Sequence, residues 1–228
     1  MKMHAWLAFA VAALLLFAAC GDGGPSLKDT SYWQAKFAKG DPDAIKNLAA
    51  EGAAALPTLE ALLQDPSELV VQNAAMAMGE LGDVAAPAVP DLLAAIGRYP
   101  GNPFLAQTLE ELKGAAVPAM IEVLQGNDPA MKKQMATILV GVGEAGEIAI
   151  PALIAVIEGN DPDPVRLEAI GAVGALSVKA VNGDALPALE ALRDQGGELA
   201  IYAGRVIKRI EHAIEFAAKL EAEKAAGN

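Results

Sequence analysis

Asp65-Pro66-Ser67-Glu68-Leu69-Val70-Val71-Gln72-Asn73-Ala74-Ala75-Met76-Ala77-Met78-Gly79-Glu80-Leu81-Gly82-Asp83, followed shortly by Val89-Pro90-Asp91-Leu92-Leu93, is the stretch whose reading decides the fold. An aspartate carboxylate can accept the free N–H groups of a first helical turn, and proline fits the next position because the donor it lacks has no partner there anyway. Ala74, Ala75, Met78 and Leu81 then recur at steps of three and four, which lines one helix face. Gly82 supplies the positive-φ residue that ends a helix, and Val89-Pro90 opens a second one. The stretch reads as helix, turn, helix.

Working outward, Pro90 is one of five prolines that align the chain: Pro57, Pro90, Pro118, Pro151 and Pro187, spaced by 33, 28, 33 and 36 residues. The residue before each is Leu56, Val89, Val117, Ile150 or Leu186, and the residue two after is Leu59, Leu92, Met120, Leu153 or Leu189. Both columns are apolar, so each proline sits in the first turn of an amphipathic helix. Asp128-Pro129 and Asp161-Pro162 repeat the Asp-Pro opening 33 residues apart, whereas the unit from Tyr99 to Gln125 is short and lacks it. One unit is two antiparallel helices, and neither can bury its apolar face without the next unit.

The residues Asp65-Pro66, Leu81-Gly82-Asp83 and Val89-Pro90-Asp91-Leu92-Leu93 resemble the HEAT-like repeats also found in the lyases that attach bilins to light-harvesting proteins. The resemblance covers residues 41 to 210. It implies an all-α solenoid of about five helical hairpins and says little about activity, because such repeats serve unrelated functions. Tyr32, Trp33 and Phe37 are expected to cap the open N-terminal end, and Ala203, Val206, Ile207, Ile210, Ala213, Ile214 and Ala217 keep helical spacing in one long closing helix. The solenoid is thus expected over residues 30–218, with residues 219–228 a frayed tail.

The first residues point to a compartment. Lys2 and His4 precede an apolar run from Ala5 to Ala19. As a helix this run of about 15 residues rises roughly 22 Å, short of the roughly 30 Å hydrocarbon layer, so residues 1–19 read as a cleaved export signal. Phe17-Ala18-Ala19-Cys20 resembles the lipobox of bacterial lipoproteins, with Phe17 where leucine is usual. The resemblance implies that Cys20 carries a diacylglyceryl group on sulfur and becomes the acylated first residue of the mature chain. Two or three acyl chains such as palmitate anchor stably where one does not. Residues 20–29 form a flexible tether, and Gly21, not aspartate, after the cysteine implies the outer membrane, facing the periplasm, in a Gram-negative host.

Composition narrows the chemistry. Hydrophobic residues make up 54% of the chain and aromatic ones 4%, so the core is built of small and aliphatic side chains suited to helix-on-helix packing. The net charge of −12 and the want of a basic stripe argue against DNA or RNA as partner. Gly141-Val142-Gly143-Glu144-Ala145-Gly146 satisfies the G-x-G-x-x-G pattern of dinucleotide sites. Met131, Met135, Ile138, Leu139 and Val142 before it keep helical spacing, however, so the strand that such a site needs is missing and no nucleotide cofactor is expected. Past the anchor, His212 is the only histidine and no cysteine remains, too few parts for a Ser/His/Asp or Cys/His centre or the usual zinc sets. Asn127-Asp128 and Asn160-Asp161-Pro162-Asp163 offer calcium-type oxygens, but they stand where the repeat needs caps. Neither metal nor catalytic residues are assigned.

The reading is of a non-enzymatic scaffold in the cell envelope that binds another protein on the curved face, taken to be lined by the post-proline helices. Positions one, four and seven after the prolines are the expected exposed ones: Thr58, Gln64, Asp91, Glu122, Gln125, Glu158 and Asp194. Several are acidic, so a partner with a basic patch would suit them. The alternatives are an enzyme or chromophore-handling protein related to the bilin lyases, or an envelope component that self-associates through its repeat ends.

Overall fold

The computed structural model describes residues 29–180 and 183–226. The signal segment, Cys20 and all but the last residue of the tether therefore lie outside the described residues. Twelve α-helices follow one another, with no strand among the described residues. A short helix α1 (Thr30–Phe37) precedes five hairpins: α2 (Pro42–Ala49) with α3 (Leu56–Leu63), α4 (Glu68–Leu81) with α5 (Val89–Arg98), α6 (Pro103–Leu112) with α7 (Val117–Gln125), α8 (Pro129–Val142) with α9 (Ile150–Glu158), and α10 (Asp163–Ala180) with α11 (Leu186–Arg193). The helix α12 (Glu198–Ala226) closes the stack. This is an all-α solenoid with the expected number of hairpins.

The five aligned prolines all lie in the first turn of their helices, α3, α5, α7, α9 and α11. Within the α4–α5 and α8–α9 hairpins a seven-residue 3-10 turn, Gly82–Ala88 or Gly143–Ala149, joins the two helices. Gly52, Gly82 and Gly143 open these 3-10 turns with φ of +62°, +57° and +77°, a backbone that side chains resist. The short unit departs from this. Lys113 stands at the corresponding place with φ +47°, the one non-glycine residue with positive φ among those described. Asn102-Pro103 replaces the absent Asp-Pro, and Asn102 Oδ1 accepts from Phe104 N at 3.0 Å and Leu105 N at 3.3 Å.

The Asp-Pro openings themselves divide their work. Asp128 Oδ1 accepts from Ala130 N and Met131 N, a plain N-cap. Asp65 accepts from Ser67 N at 2.7 Å and from Gln34 Nε2 of α1 at 2.6 Å, tying the cap helix to the first full unit. Asp161 instead receives Lys132 Nζ of the preceding unit at 2.8 Å, an ion pair with both side chains largely enclosed. The carboxylates of Asp128 and Asp161 are thus engaged in capping and pairing. Arg166, the basic residue after the first valine of its helix, donates from Nε to Ile157 O at 2.8 Å and so satisfies a carbonyl at the end of α9.

One continuous apolar core runs from Trp33 and Phe37 to Ile210. Trp33 and Phe37 are buried against it, as expected for a cap, and Asn73 Nδ2 donates to Phe37 O at 2.8 Å to fix the end of α1. Tyr32 is half out, its ring set edge-on to Trp33 at 5.2 Å. At the other end α12 continues helical through Ala226, beyond Lys219 where fraying was expected, and this last part is exposed. Its composition, rich in alanine, glutamate and lysine, favours helix without any packing.

Candidate interaction surface

Two helical layers make up the stack: α2, α4, α6, α8, α10 and α12 on one side, and the post-proline helices α3, α5, α7, α9 and α11 on the other. Successive helices pack more densely in the first layer. Its glycines permit that approach, for a Cβ on Gly79 of α4 would meet the Glu111 carboxylate of α6, one on Gly141 of α8 the Glu110 carboxylate, and one on Gly174 of α10 the Val206 side chain of α12. In a bent stack the layer with the closer spacing is the inside of the bend. The inner surface is therefore the first layer, and the expectation that the post-proline helices line it is corrected.

The seven residues expected on that face are not gathered into one site. Thr58 is only 4% exposed, because the first turn of α3 is covered by the following unit, so its expected exposure is overturned. Asp91 is half-buried and accepts from Gln64 Nε2 at 2.9 Å, which joins the end of α3 to the start of α5. Gln125 and Glu158 are the last residues of α7 and α9, and Gln64 and Asp194 cap the ends of α3 and α11. All four are exposed, but along an edge of the solenoid. The post-proline helices run only eight to ten residues, so the seventh position after the proline is already at the turn. Glu122 is exposed on α7 itself.

Sequence reasoning passed over a different set. Between α2, α4 and α6 lies a groove of about 240 Å³ with Ile45, Met76 and Phe104 as apolar walls and Glu80, Gln107 and Glu111 at its rim. Gln107 Nε2 donates to Glu111 Oε1 at 2.8 Å and holds that carboxylate over Gly79. Glu110, its chain neighbour, lies over Gly141 on the other side of α6. Among the described residues no ion pair reaches Glu80, Glu110 or Glu111. The signal was present in the sequence as Gly79 and Gly141, each costly inside a helix and so in need of a packing reason.

Other groups weighed for chemistry have structural employment. Gly141 closes the end of α8, Gly143 begins a 3-10 turn, and Gly146 packs against Leu139 O and Leu176, so the glycine-rich segment is a helix–turn corner. His212 is exposed on α12. The carboxyl of Asp29 is held below the usual aspartate range chiefly by the Ser31 hydroxyl, and that of Asp41 chiefly by the Lys36 ammonium at 2.8 Å. Both carboxylates cap helices of the N-terminal end.

The HEAT repeat family model matches residues 55–85, which run from the start of α3 through α4 into its 3-10 turn. No curated protein matches the chain. Among solved structures, the crystal structure of an engineered protein aligns over 84% of this chain and 93% of its own, with 19% identity and a TM-score of 0.42.

Proposed function

We propose that this chain is a lipid-anchored scaffold of the cell envelope that holds a partner protein, bearing a basic patch, against the inner layer of its solenoid. HEAT repeats generally mediate protein–protein contacts, and an extended stack offers them a long surface. The observation that carries the reading is the row Glu80, Glu111 and Glu110, three neighbouring carboxylates without a cationic partner, beside an apolar groove. A lysine or arginine can lay its aliphatic stem on Met76 and Phe104 and its charge against Glu80 or Glu111. The likeness of individual repeats to those of bilin-attaching lyases supports the repeat register and adds no chemistry.

The anchor rests on Phe17-Ala18-Ala19-Cys20, and Gly21 supports an outer-membrane placement facing the periplasm in a Gram-negative host. Two experiments test the two halves. Cys20→Ser should move the protein from the membrane to the soluble fraction; unchanged fractionation would defeat the anchor. Envelope extract passed over the wild-type solenoid should yield a partner that is released by salt on the scale of the Debye length, about 0.15 M and above, and is lost from the Glu80→Lys, Glu110→Lys, Glu111→Lys triple variant. Equal retention by that folded variant would defeat the surface assignment.

A further inference from the structure

The short unit leaves a gap. Helix α6 has ten residues where α4 and α8 have fourteen, and it starts late, at Pro103. Where its missing turn would pack, a pocket of about 190 Å³ opens between the end of α5, the Gly101-Asn102 turn, α6 and α8. Its apolar walls are Ile96, Ala106 and Ile138. Its polar members are Asn102, Thr137 and Gln134, and the first two are in use. Asn102 caps α6 through Oδ1 and donates from Nδ2 to Glu68 Oε1 at 2.8 Å, while Thr137 Oγ1 is bonded to Lys133 O and Glu168 Oε1. Gln134 Oε1 is buried with no partner among the described residues.

We infer that this pocket receives the indole ring of a tryptophan from a protein partner, with the indole N–H donating to Gln134 Oε1. The volume is below the roughly 300 Å³ at which small-molecule sites begin, and suits a single large side chain. Water fills an apolar-walled space with one free acceptor poorly, because each water needs two to four polar partners. Of the large side chains, tryptophan alone is apolar over its body and carries one donor and no acceptor, the complement of what the pocket presents. A charged lysine would have to shed its hydration against Ile96 and Ile138. Tryptophan is also the side chain that most often anchors interfaces from a pocket of this kind.

The position fits the acidic row. Gln134, Ile138 and Gly141 follow one another at steps of four and three along one face of α8, and Glu110 lies over Gly141. Seven residues of helix rise about 10 Å, so one partner segment with a tryptophan and a basic residue that far apart would reach both. The assignment of a protein source rests on the scaffold reading above. The pocket's own chemistry does not, because free ligands probe it directly.

The test is a titration of the lipid-free mature chain with N-acetyltryptophanamide, followed by NMR, beside its benzofuran analogue, in which an oxygen acceptor replaces the N–H. Saturable shifts should appear at the Gln134 side-chain amide, Ala106 and Ile138, with the benzofuran bound about tenfold more weakly, the factor that one lost hydrogen bond of ordinary strength represents. Gln134→Leu should bring the two ligands to equal affinity, and Ala106→Leu should abolish binding of both with the helical circular dichroism unchanged. Absence of saturation up to the solubility limit, or equal affinity of the two ligands for the wild type, overturns the pocket assignment. Loss of pull-down in the triple glutamate variant with indole binding intact keeps the pocket, whereas intact pull-down with no indole binding removes the pocket and leaves the scaffold.

Discussion

At the scale of single residues, the repeat is kept in register by a few positions where backbone geometry leaves little choice of side chain. Gly52, Gly82 and Gly143 turn the chain at positive φ where nothing crowds a Cβ, so their requirement is conformational. Lys113 meets the same requirement with a side chain and stores strain, at φ +47° and ψ −126°, of the order of 1–3 kcal/mol. Glycine relieves it but adds freedom to the unfolded chain, an opposing effect of about 0.5–1 kcal/mol. Lys113→Gly should therefore stabilise the protein by about 1 kcal/mol, read as a rise in the melting temperature of roughly 2–4 °C. A melting temperature that stays put or falls would mean that Lys113 makes a contribution its conformation does not reveal. The sequence signals this position poorly, because Leu112-Lys113-Gly114 looks like a helix ending one residue later, at Gly114.

At the scale of helices, the inner layer depends on how near its members can come. Gly79 and Gly174 both lie in helix interiors and both face a neighbouring helix, yet they differ in what a Cβ would displace. Against Gly79 it meets the mobile end of Glu111, which can swing into solvent; against Gly174 it comes within 2.5 Å of Cγ1 of Val206, a buried side chain with one comfortable rotamer in a helix. Alanine gains about 1 kcal/mol over glycine in helix propensity. Gly79→Ala should thus be neutral or stabilising by up to about 1 kcal/mol, and Gly174→Ala destabilising by about 1–2 kcal/mol once overpacking is set against that gain. Chemical denaturation of the two variants checks the order, and the reverse order would contradict the layer packing. Hairpins, proline columns and the capping aromatics were legible in the sequence because each rests on local periodicity and turn chemistry. Which layer forms the inside of the bend was not, since spacing between helices depends on contacts between units more than thirty residues apart. The failure at Thr58 and along the edge from Gln64 to Asp194 has the same origin: periodicity gives a face of a helix, not its length or its cover.

At the scale of the whole molecule, the stack has a direction in charge. Between residues 41 and 128 the only basic residues are Lys46, Arg98 and Lys113, against a crowd of carboxylates, while Arg205, Lys208 and Arg209 gather on α12. The buried pairs Val165 with Leu199, Ala169 with Ala203, Val173 with Ile207 and Leu176 with Ile210 put α10 and α12 in register. In that register Gly171 and Gly174, which admit α12, correspond to Arg205 and Lys208, so the next unit in line would meet charge where the present one met glycine. The end is capped against further stacking, which weighs against self-association through that end. A chain of net charge −12 also repels itself in the compact state. Raising salt from about 0.01 to 0.5 M at pH 7 should therefore raise the melting temperature, as the Debye length shrinks from about 30 Å to below 10 Å. Acidification to about pH 5 should act in the same direction as carboxylates begin to bind protons. Below about pH 4 the sign reverses. Asp29 and Asp41 have folded-state pKa values below their unfolded ones, so the stability they confer is present above the unfolded value, near 3.9, and is lost as pH falls through the lowered one. Melting curves at a series of salt and pH values test this. A melting temperature that falls with added salt at neutral pH would show that attractive ion pairs, Lys132 with Asp161 foremost, outweigh the repulsion along the acidic units.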